Sequence, residues 1–217
     1  MYLNLIKVVA ATILLNGITA CTTPTQNQIS ADNSRITENK PIVDSNKSAQ
    51  NRPNNKTATI SVEGEKTNIS LKLYQEKNIF STYFPQEDFL VENKDINKAR
   101  EVKFIANFGG VKNENAYIKF VFPDDLKALE EVKNFINSKD GIIASNKWQI
   151  VNRSSTVTYP WAKEKITFSK GQEIFGNIYI GEEKGKVFYV ITHYPAEYGD
   201  GFEPRADLIL SNLEIGG

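Results

Sequence analysis

Apolar and polar residues alternate along several segments of the chain after residue 59, and this alternation predicts β-strands. Residues 68–75 (NISLKLYQ) place an isoleucine and two leucines on one face and polar side chains on the other. Residues 101–107 and 115–122 show the same period of two. Gly109-Gly110 lies between them, so we expect a turn at that point.

The clearest strand pattern lies in residues 173–194 (EIFGNIYIGEEKGKVFYVITHY). Two apolar runs flank the sequence GEEKG, in which Gly185 can adopt a positive φ at a hairpin bulge. The second run is apolar on both faces, with Val187, Tyr189 and Ile191 on one and Phe188, Val190 and Tyr194 on the other. A strand of this kind is central in its sheet and covered on both sides. We expect helices to provide these covers.

Two segments have the period of a helix. Residues 124–141 and 203–215 each carry an apolar stripe, formed by Leu126, Leu129, Val132, Phe135 and Ile136 in the first and by Ala206, Ile209, Leu210 and Leu213 in the second. Residues 147–153 and 164–169 predict two more strands around a Pro160-Trp161 corner. The predicted fold class is therefore α+β, an antiparallel sheet covered by helices.

The first residues of the chain have the pattern of a bacterial secretion signal. Lys7 precedes a short apolar run, and small residues then lead to Cys21, the only cysteine of the chain. The sequence Ile18-Thr19-Ala20-Cys21 resembles the bacterial lipobox, in which the cysteine carries a diacylglycerol. That resemblance implies a lipoprotein signal peptide at residues 1–20 and acyl chains such as palmitate on Cys21, which anchor a protein stably when two or three are present. The alternative is an ordinary secretory signal in which the cysteine stands by chance.

The segment after Cys21 predicts a disordered tether. Residues 22–58 contain no aromatic residue and are rich in Asn, Gln, Ser, Thr and Pro, so they cannot bury enough apolar surface to offset the entropy of ordering. A flexible chain of this length spans roughly 35 Å. Every phenylalanine and both tryptophans follow residue 59, and we therefore expect a single domain at residues 59–217.

Composition narrows the classes of function. The chain carries 26 basic and 26 acidic residues, so its formal net charge is zero and no global field favours a nucleic-acid partner. A single cysteine allows no intrachain disulfide, and a single histidine excludes sites that need two imidazoles, such as an HExxH zinc site. We expect no cofactor, and the sequence leaves metal binding open.

Residues 192–210 (THYPAEYGDGFEPRADLIL) hold the densest set of chemically active side chains. The candidates for contact with a ligand or partner are His193, Tyr194, Glu197, Tyr198, Asp200, Glu203 and Arg205. An imidazole near neutral pH, or carboxylates held close together, would serve a hydrolase, and the same carboxylates could bind a divalent ion. Neither a G-x-S-x-G elbow nor EF-hand spacing is present, and we name no catalytic residue.

Each of these residues also has a structural interpretation, which we favour. His193 can bond backbone at a strand end, and Asp200-Gly201 can form a turn. Glu203 and Asp207 would lie early in a helix, where the dipole favours anions. The aromatic residues of Tyr159-Pro160-Trp161, Tyr194 and Tyr198 could anchor an interface, but we expect them to cover the core.

The order of elements, with GKVFYVITHYP (185–195) before LILSNLEI (208–215), resembles the PsbP-like α/β/α sandwich of extrinsic oxygen-evolving-complex subunits. Residues 60–215 also resemble cyanobacterial lipoproteins, through STYFP (81–85), KWQIVNR (147–153), YPWAKEKITF (159–168) and ITHYPAEYGDGFEPRAD (191–207).

These resemblances imply a non-enzymatic binding or assembly module of the cell envelope or thylakoid lumen. It would be anchored through Cys21, face the periplasm, the cell exterior or the lumen, and contact an envelope or thylakoid protein. The alternative is an envelope hydrolase or a divalent-ion-binding protein that uses the loop at residues 193–207.

Overall fold

The computed structural model describes residues 52–62, 64–96 and 98–216. Eleven strands lie in this part of the chain: β1 (Asn55–Val62), β2 (Glu65–Glu76), β3 (Phe80–Phe84), β4 (Phe89–Ile96), β5 (Ala99–Phe108), β6 (Val111–Pro123), β7 (Gln149–Ser154), β8 (Ala162–Lys170), β9 (Ile174–Glu183), β10 (Lys186–Pro195) and β11 (Glu214–Ile215). The α-helices among the same residues are α1 (Leu129–Asn137), α2 (Ile142–Asn146) and α3 (Gly199–Ser211).

The strands form two antiparallel sheets. The small sheet has the order β1-β2-β3-β11, and the large sheet has the order β4-β5-β6-β10-β9-β8-β7. Strand β10 lies at the centre of the large sheet between β6 and β9, and nearly all of its residues are buried. The central position predicted from its two apolar faces is confirmed.

One face of the large sheet packs against the small sheet and α3. Phe80 of β3 stacks on Phe120 of β6 with ring centroids 4.9 Å apart, and Phe202 of α3 lies 6.1 Å from Phe89. These side chains belong to one buried cluster that draws on both sheets and on α3. Fully burying an aromatic or aliphatic side chain stabilises the fold by roughly 1.5–3 kcal/mol, so this cluster holds the small sheet in place.

The opposite face of the large sheet is covered by helices. Val132 and Ile136 of α1 are fully buried against β8–β10. Trp148, just after α2, stacks on Phe168 of β8 with centroids 3.9 Å apart and ring planes inclined by 8°. A short helical layer therefore covers this side.

The predicted α+β class, with helices covering the sheet in a PsbP-like α/β/α sandwich, is wrong. The described chain is mostly antiparallel β-structure in two sheets, and the second sheet occupies much of the position that we assigned to a helical layer. The physical reason is that an apolar sheet face requires a cover but does not specify its type. The five buried residues of β3 show no alternation that would reveal a second sheet.

The strands predicted at residues 68–75, 101–107, 115–122, 147–153, 164–169 and 173–194 are confirmed. The Gly109-Gly110 turn is also confirmed, since both glycines have positive φ. Lys184 and Gly185 have φ of 50° and 73° and directly join the paired residues Glu183 and Lys186. The hairpin therefore closes through a two-residue turn rather than through the bulge that we expected.

Both predicted helices are displaced at their ends. Helix α1 begins at Leu129 rather than at residue 124, because the Glu131 carboxylate accepts hydrogen bonds from the backbone N–H groups of Lys127 and Ala128 and caps the helix there. Helix α3 ends at Ser211, and the two residues of β11 then pair with β3. The apolar stripe of α3 is nevertheless buried as predicted.

The signal peptide predicted at residues 1–20, Cys21 and most of the predicted tether lie outside the described residues. Residues 52–58, which we assigned to the tether, lie within the fold, since β1 begins at Asn55. Arg52 donates hydrogen bonds to Ser81 Oγ at 2.9 Å and to the Asn212 carbonyl at 3.0 Å. Among residues 52–62, 64–96 and 98–216, none of the helices combines the length and apolar character that crossing a bilayer requires.

Candidate functional site

The residues of the candidate loop lie on different sides of the large sheet. His193 and Tyr194 are neighbours on β10 and therefore point to opposite faces. His193 lies near Trp148 and Phe168 on the helix-covered face. Tyr194 belongs to the cluster that faces the small sheet and α3. The structure therefore does not bring the seven candidate residues together into one site.

His193 is held in a structural environment. Its Nδ1 lies 2.7 Å from the Asn115 carbonyl oxygen, which can only accept, so Nδ1 carries the proton. Its ring stacks on Tyr117 with centroids 4.9 Å apart. Burial lowers the pKa of His193, and the positive charges of Lys103 and Lys170 lower it further, while the backbone acceptor opposes this change. The imidazole is therefore mostly neutral at neutral pH.

Arg205 also makes structural contacts. Its Nε donates to Asp88 Oδ2 at 2.7 Å, and Nη1 donates to the Gly201 carbonyl at 2.8 Å. The guanidinium lies 4.9 Å from the centre of the Phe108 ring, on which Tyr198 stacks at 5.7 Å. These contacts fix the start of α3 against β4 and β5.

The acidic residues of the loop are exposed. Glu197 lies in a single 3-10 turn, Ala196–Tyr198, and Asp200 lies in the first turn of α3. The Asp200-Gly201 turn that we expected is part of the helix instead. Glu203 lies further along α3 and faces a cavity.

A cavity of about 190 Å³ lies between α3 and strands β8, β9 and β10. We call it the polar groove, and its polar lining is formed by Tyr159, Lys165, Asn177, Tyr179, Thr192, Tyr194, Glu203 and Asp207. A second cavity of about 310 Å³ adjoins it along β7 and β8 and shares Tyr159, Lys165 and Tyr179 with it. The groove therefore continues over the part of the large sheet beyond α3.

The floor of the polar groove is a row of polar side chains on three adjacent strands. Thr167, Asn177 and Thr192 lie directly opposite one another in the strand register. The Thr167 hydroxyl donates to Asn177 Oδ1 at 2.9 Å, and Thr192 Oγ1 accepts from the Asn177 backbone N–H at 3.0 Å and from Nδ2 at 3.3 Å. These bonds fix the orientation of the amide and hydroxyl groups on a rigid sheet.

Two tyrosine–carboxylate pairs form the wall at α3. Tyr159 donates its hydroxyl proton to Asp207 Oδ1 at 2.8 Å, and Tyr194 donates to Glu203 Oε1. Burial raises the pKa of both phenols, and the neighbouring carboxylates raise it further. Burial also raises the pKa of Tyr179 to about 12. All three phenols are therefore protonated donors at physiological pH.

Opposite charges line the groove without pairing. Glu203 and Asp207 are one turn apart on α3, so they lie on the same helix face. Lys165 lies on the strand side, with its ammonium 5.7 Å from the centre of the Tyr179 ring. No ion pair joins Lys165 to either carboxylate, and neither carboxylate pairs with another cation among the described residues.

Tyr159 and Trp161 form an aromatic corner before β8, next to the polar groove. Tyr159 and Trp161 are buried with parallel rings 5.3 Å apart. The Trp161 indole N–H donates to the Leu210 carbonyl at 3.1 Å and so fastens the end of α3 to the sheet. The expectation that this corner covers the core is confirmed, although the Tyr159 hydroxyl also reaches the groove.

Sequence reasoning named Tyr194 and Glu203 but missed Lys165, Asn177, Tyr179 and Thr192 as site residues. A usable signal was the asparagine that interrupts the apolar run IFGNIYIG in β9. In the part of the chain that the structure describes, no three side chains of the metal-binding types His, Cys, Asp and Glu come close enough to hold a metal ion.

The chain matches no protein-family model, and no curated protein is significantly similar to it in sequence.

Proposed function

We propose that the protein is a lipid-anchored, non-enzymatic binding or assembly module of the cell envelope or thylakoid lumen, and that the polar groove is its binding site. The observation that carries the proposal is the groove itself. Phenol donors, an amide–hydroxyl floor and charged walls converge on one cavity and are held by strands and by α3. Convergent polar groups in a preformed concave site are the usual arrangement of a ligand-binding pocket.

Binding accounts for this lining better than catalysis does. Nucleophilic catalysis needs a nucleophile beside a base, but the one histidine of the chain lies on the opposite face of the sheet from the groove. The phenols that line the groove have raised pKa values, so they stay protonated at neutral pH and are not available to accept a proton as a base. The anchoring part of the proposal is supported by the lipobox-like sequence Ile18-Thr19-Ala20-Cys21.

A hydrolase remains the second candidate because two carboxylates, Glu203 and Asp207, line one cavity. A paired acid and base could act on a glycosidic bond. Hydrolysis of envelope glycans that is lost in Glu203→Gln and Asp207→Asn, but kept in Glu197→Gln, would establish this candidate in place of the binding module.

Membrane fractionation tests the anchor. Cys21→Ala should release the protein from membranes or leave an unprocessed precursor, because the acyl acceptor is gone. Normal processing of this variant, with its membrane association unchanged, would contradict the proposal.

Pull-down of the full-length protein from its own membranes tests the groove. Tyr159→Phe and Tyr194→Phe each remove one hydroxyl from the groove, whereas Tyr198→Phe removes one outside it. A component captured by the wild type and by Tyr198→Phe, but lost from both groove variants, supports the proposal. Capture that is equal in all four proteins places the binding surface elsewhere.

A further inference from the structure

The charges of the polar groove are arranged for a ligand that carries charges of both signs. Glu203 and Asp207 lie on the helix side, and Lys165 lies on the strand side of the same cavity. Opposite charges at contact distance would neutralise each other, but no ion pair joins these groups among the described residues. Two carboxylates against one ammonium leave a local excess of one negative charge.

The floor offers a further hydroxyl group that can donate a hydrogen bond. Thr192 is 3% exposed and lines the groove. Its oxygen accepts two hydrogen bonds from Asn177, and no described residue accepts its proton. A threonine hydroxyl that accepts hydrogen bonds can also donate its proton, so this hydroxyl can bind a ligand that brings an acceptor to the floor.

We propose that the polar groove binds a small cationic amino acid, with its ammonium groups at Glu203 and Asp207 and its carboxylate at Lys165. This inference rests on the function proposed above, because it names the ligand class of the same groove. A molecule with two ammonium groups and one carboxylate has a net charge of +1, which complements the excess charge of the lining. The Thr192 hydroxyl can donate to the ligand carboxylate.

The size of the groove agrees with this ligand class. Its volume of about 190 Å³ is below the roughly 300–1,000 Å³ of pockets for drug-sized ligands. The carboxylates of Glu203 and Asp207 are exposed at the rim of the groove, so an ammonium group can reach them from solvent. The hydrogen bonds between an ammonium group and a carboxylate are charge-assisted and are stronger than those between neutral groups.

Calorimetric titration of the full-length protein in detergent with three probes tests the ligand class. L-lysine carries both ammonium groups and the carboxylate, norleucine lacks the side-chain ammonium, and cadaverine lacks the carboxylate. We expect L-lysine to bind with a dissociation constant below about 1 mM, and each of the other two to bind at least tenfold more weakly. Norleucine binding as tightly as L-lysine, or no heat from L-lysine at millimolar concentration, overturns the inference.

Substitutions then assign each charge. Glu203→Gln and Asp207→Asn should each weaken the binding of L-lysine about tenfold. Lys165→Met should weaken the binding of L-lysine but not the binding of cadaverine, which has no carboxylate. Glu197→Gln, which removes an exposed carboxylate outside the groove, is the matched control and should change nothing. If Glu197→Gln weakens binding as much as Glu203→Gln, the site is misplaced.

The two proposals fail in different ways. If L-lysine does not bind but the groove tyrosine variants still lose their membrane partner, the ligand class is wrong and the binding function stands. If neither L-lysine nor a membrane component depends on the groove, both proposals fall. Because the three probes are compared on the wild-type protein, a variant that fails to fold does not affect the first test.

Discussion

Gly176 lies at a point of β9 where no side chain fits. A β-carbon at this position would overlap the carbonyl oxygen of Thr192 on β10 and the ring of Phe168 on β8. Both neighbours are held by strand pairing on either side of Gly176, so neither can move without breaking the sheet. The glycine is therefore required by close packing rather than by its backbone angles.

We expect Gly176→Ala to destabilise the fold by about 3 kcal/mol, at the upper end of the range for overpacking. Gly201→Ala is the control, since its β-carbon would meet only Arg205 Nη1 at 3.7 Å and Phe108 Cε2 at 3.8 Å. Alanine is a better helix former than glycine by about 0.5–1 kcal/mol, so this variant should lose no stability. Urea unfolding of the two variants measures their free energies of unfolding. Equal values for Gly176→Ala and Gly201→Ala would contradict the packing argument.

His193 couples the stability of the fold to pH. Its pKa in the folded protein lies below the ordinary value of 6.5 because the imidazole is partly buried. Between these two values the unfolded chain binds more protons than the folded chain, so stability rises with pH. The stabilisation is complete above about pH 6.5 and is lost as the pH falls through the folded value.

We therefore expect the melting temperature of the wild type to fall more steeply than that of His193→Gln between pH 7.5 and 5.5. His193 is the only histidine of the chain, so the difference between the two slopes reports this group alone. Identical slopes would mean that the imidazole titrates with its ordinary pKa.

At the scale of elements, two cations before and within β1 bind the segment that joins α3 to β11. Arg52 forms an ion pair with Glu214 at 3.4 Å, and Lys56 Nζ donates to Asn212 Oδ1 at 2.5 Å. Both cations also lie over the ring of Tyr83, at 4.5 and 4.2 Å from its centre. We call this set of contacts the terminal clamp. Sequence reasoning missed it because its partners are about 160 residues apart.

A chain shortened to begin at Thr59 should melt about 4–8 °C below one that begins at Arg52. The shorter chain loses the first half of β1 and the terminal clamp, which we expect to cost about 2 kcal/mol. Differential scanning calorimetry of the two chains measures the effect. Equal melting temperatures would show that residues 52–58 do not contribute to folding.

Sequence patterns predicted most of the long strands because their alternation is local. They failed where an element depends on a distant partner. The two residues of β11 form a strand only because β3 lies beside them. The apolar stripe of α3 was correct, but the stripe alone did not show that the chain leaves the helix after Ser211. The periodicity of apolar residues identifies the buried side of a helix or strand, whereas tertiary contacts determine where that element ends.

At the scale of the whole molecule, the candidate site was the least predictable part. Tyr194 and Glu203 lie close in sequence and were named together, whereas Lys165, Asn177 and Thr192 come from three strands that meet only in the folded sheet. The pairing of β6 with β10, which sets the order of the large sheet, joins segments about 70 residues apart. The groove itself lies on the consecutive strands β8, β9 and β10 and becomes a cavity only where α3 packs across them, and no local pattern encodes that packing.

The side chains of the terminal clamp reach across β2 and β3 and link the two edge strands of the small sheet, and this has a consequence for the order in which the chain can be connected. A circular permutant that joins residue 216 to Arg52 needs no rearrangement of the two sheets if its linker is long enough to pass over β2 and β3, a span of roughly 15 Å at about 4.8 Å per strand. New ends opened at the exposed Gly109-Gly110 turn should leave the circular dichroism spectrum unchanged. Opening the turn at Lys184-Gly185 instead should be harmful, because it cuts the central hairpin and the bond from Lys184 Nζ to the Ile215 carbonyl. The order of strands along the chain would then be free to change at the turn between β5 and β6 but not at the central hairpin of β9 and β10.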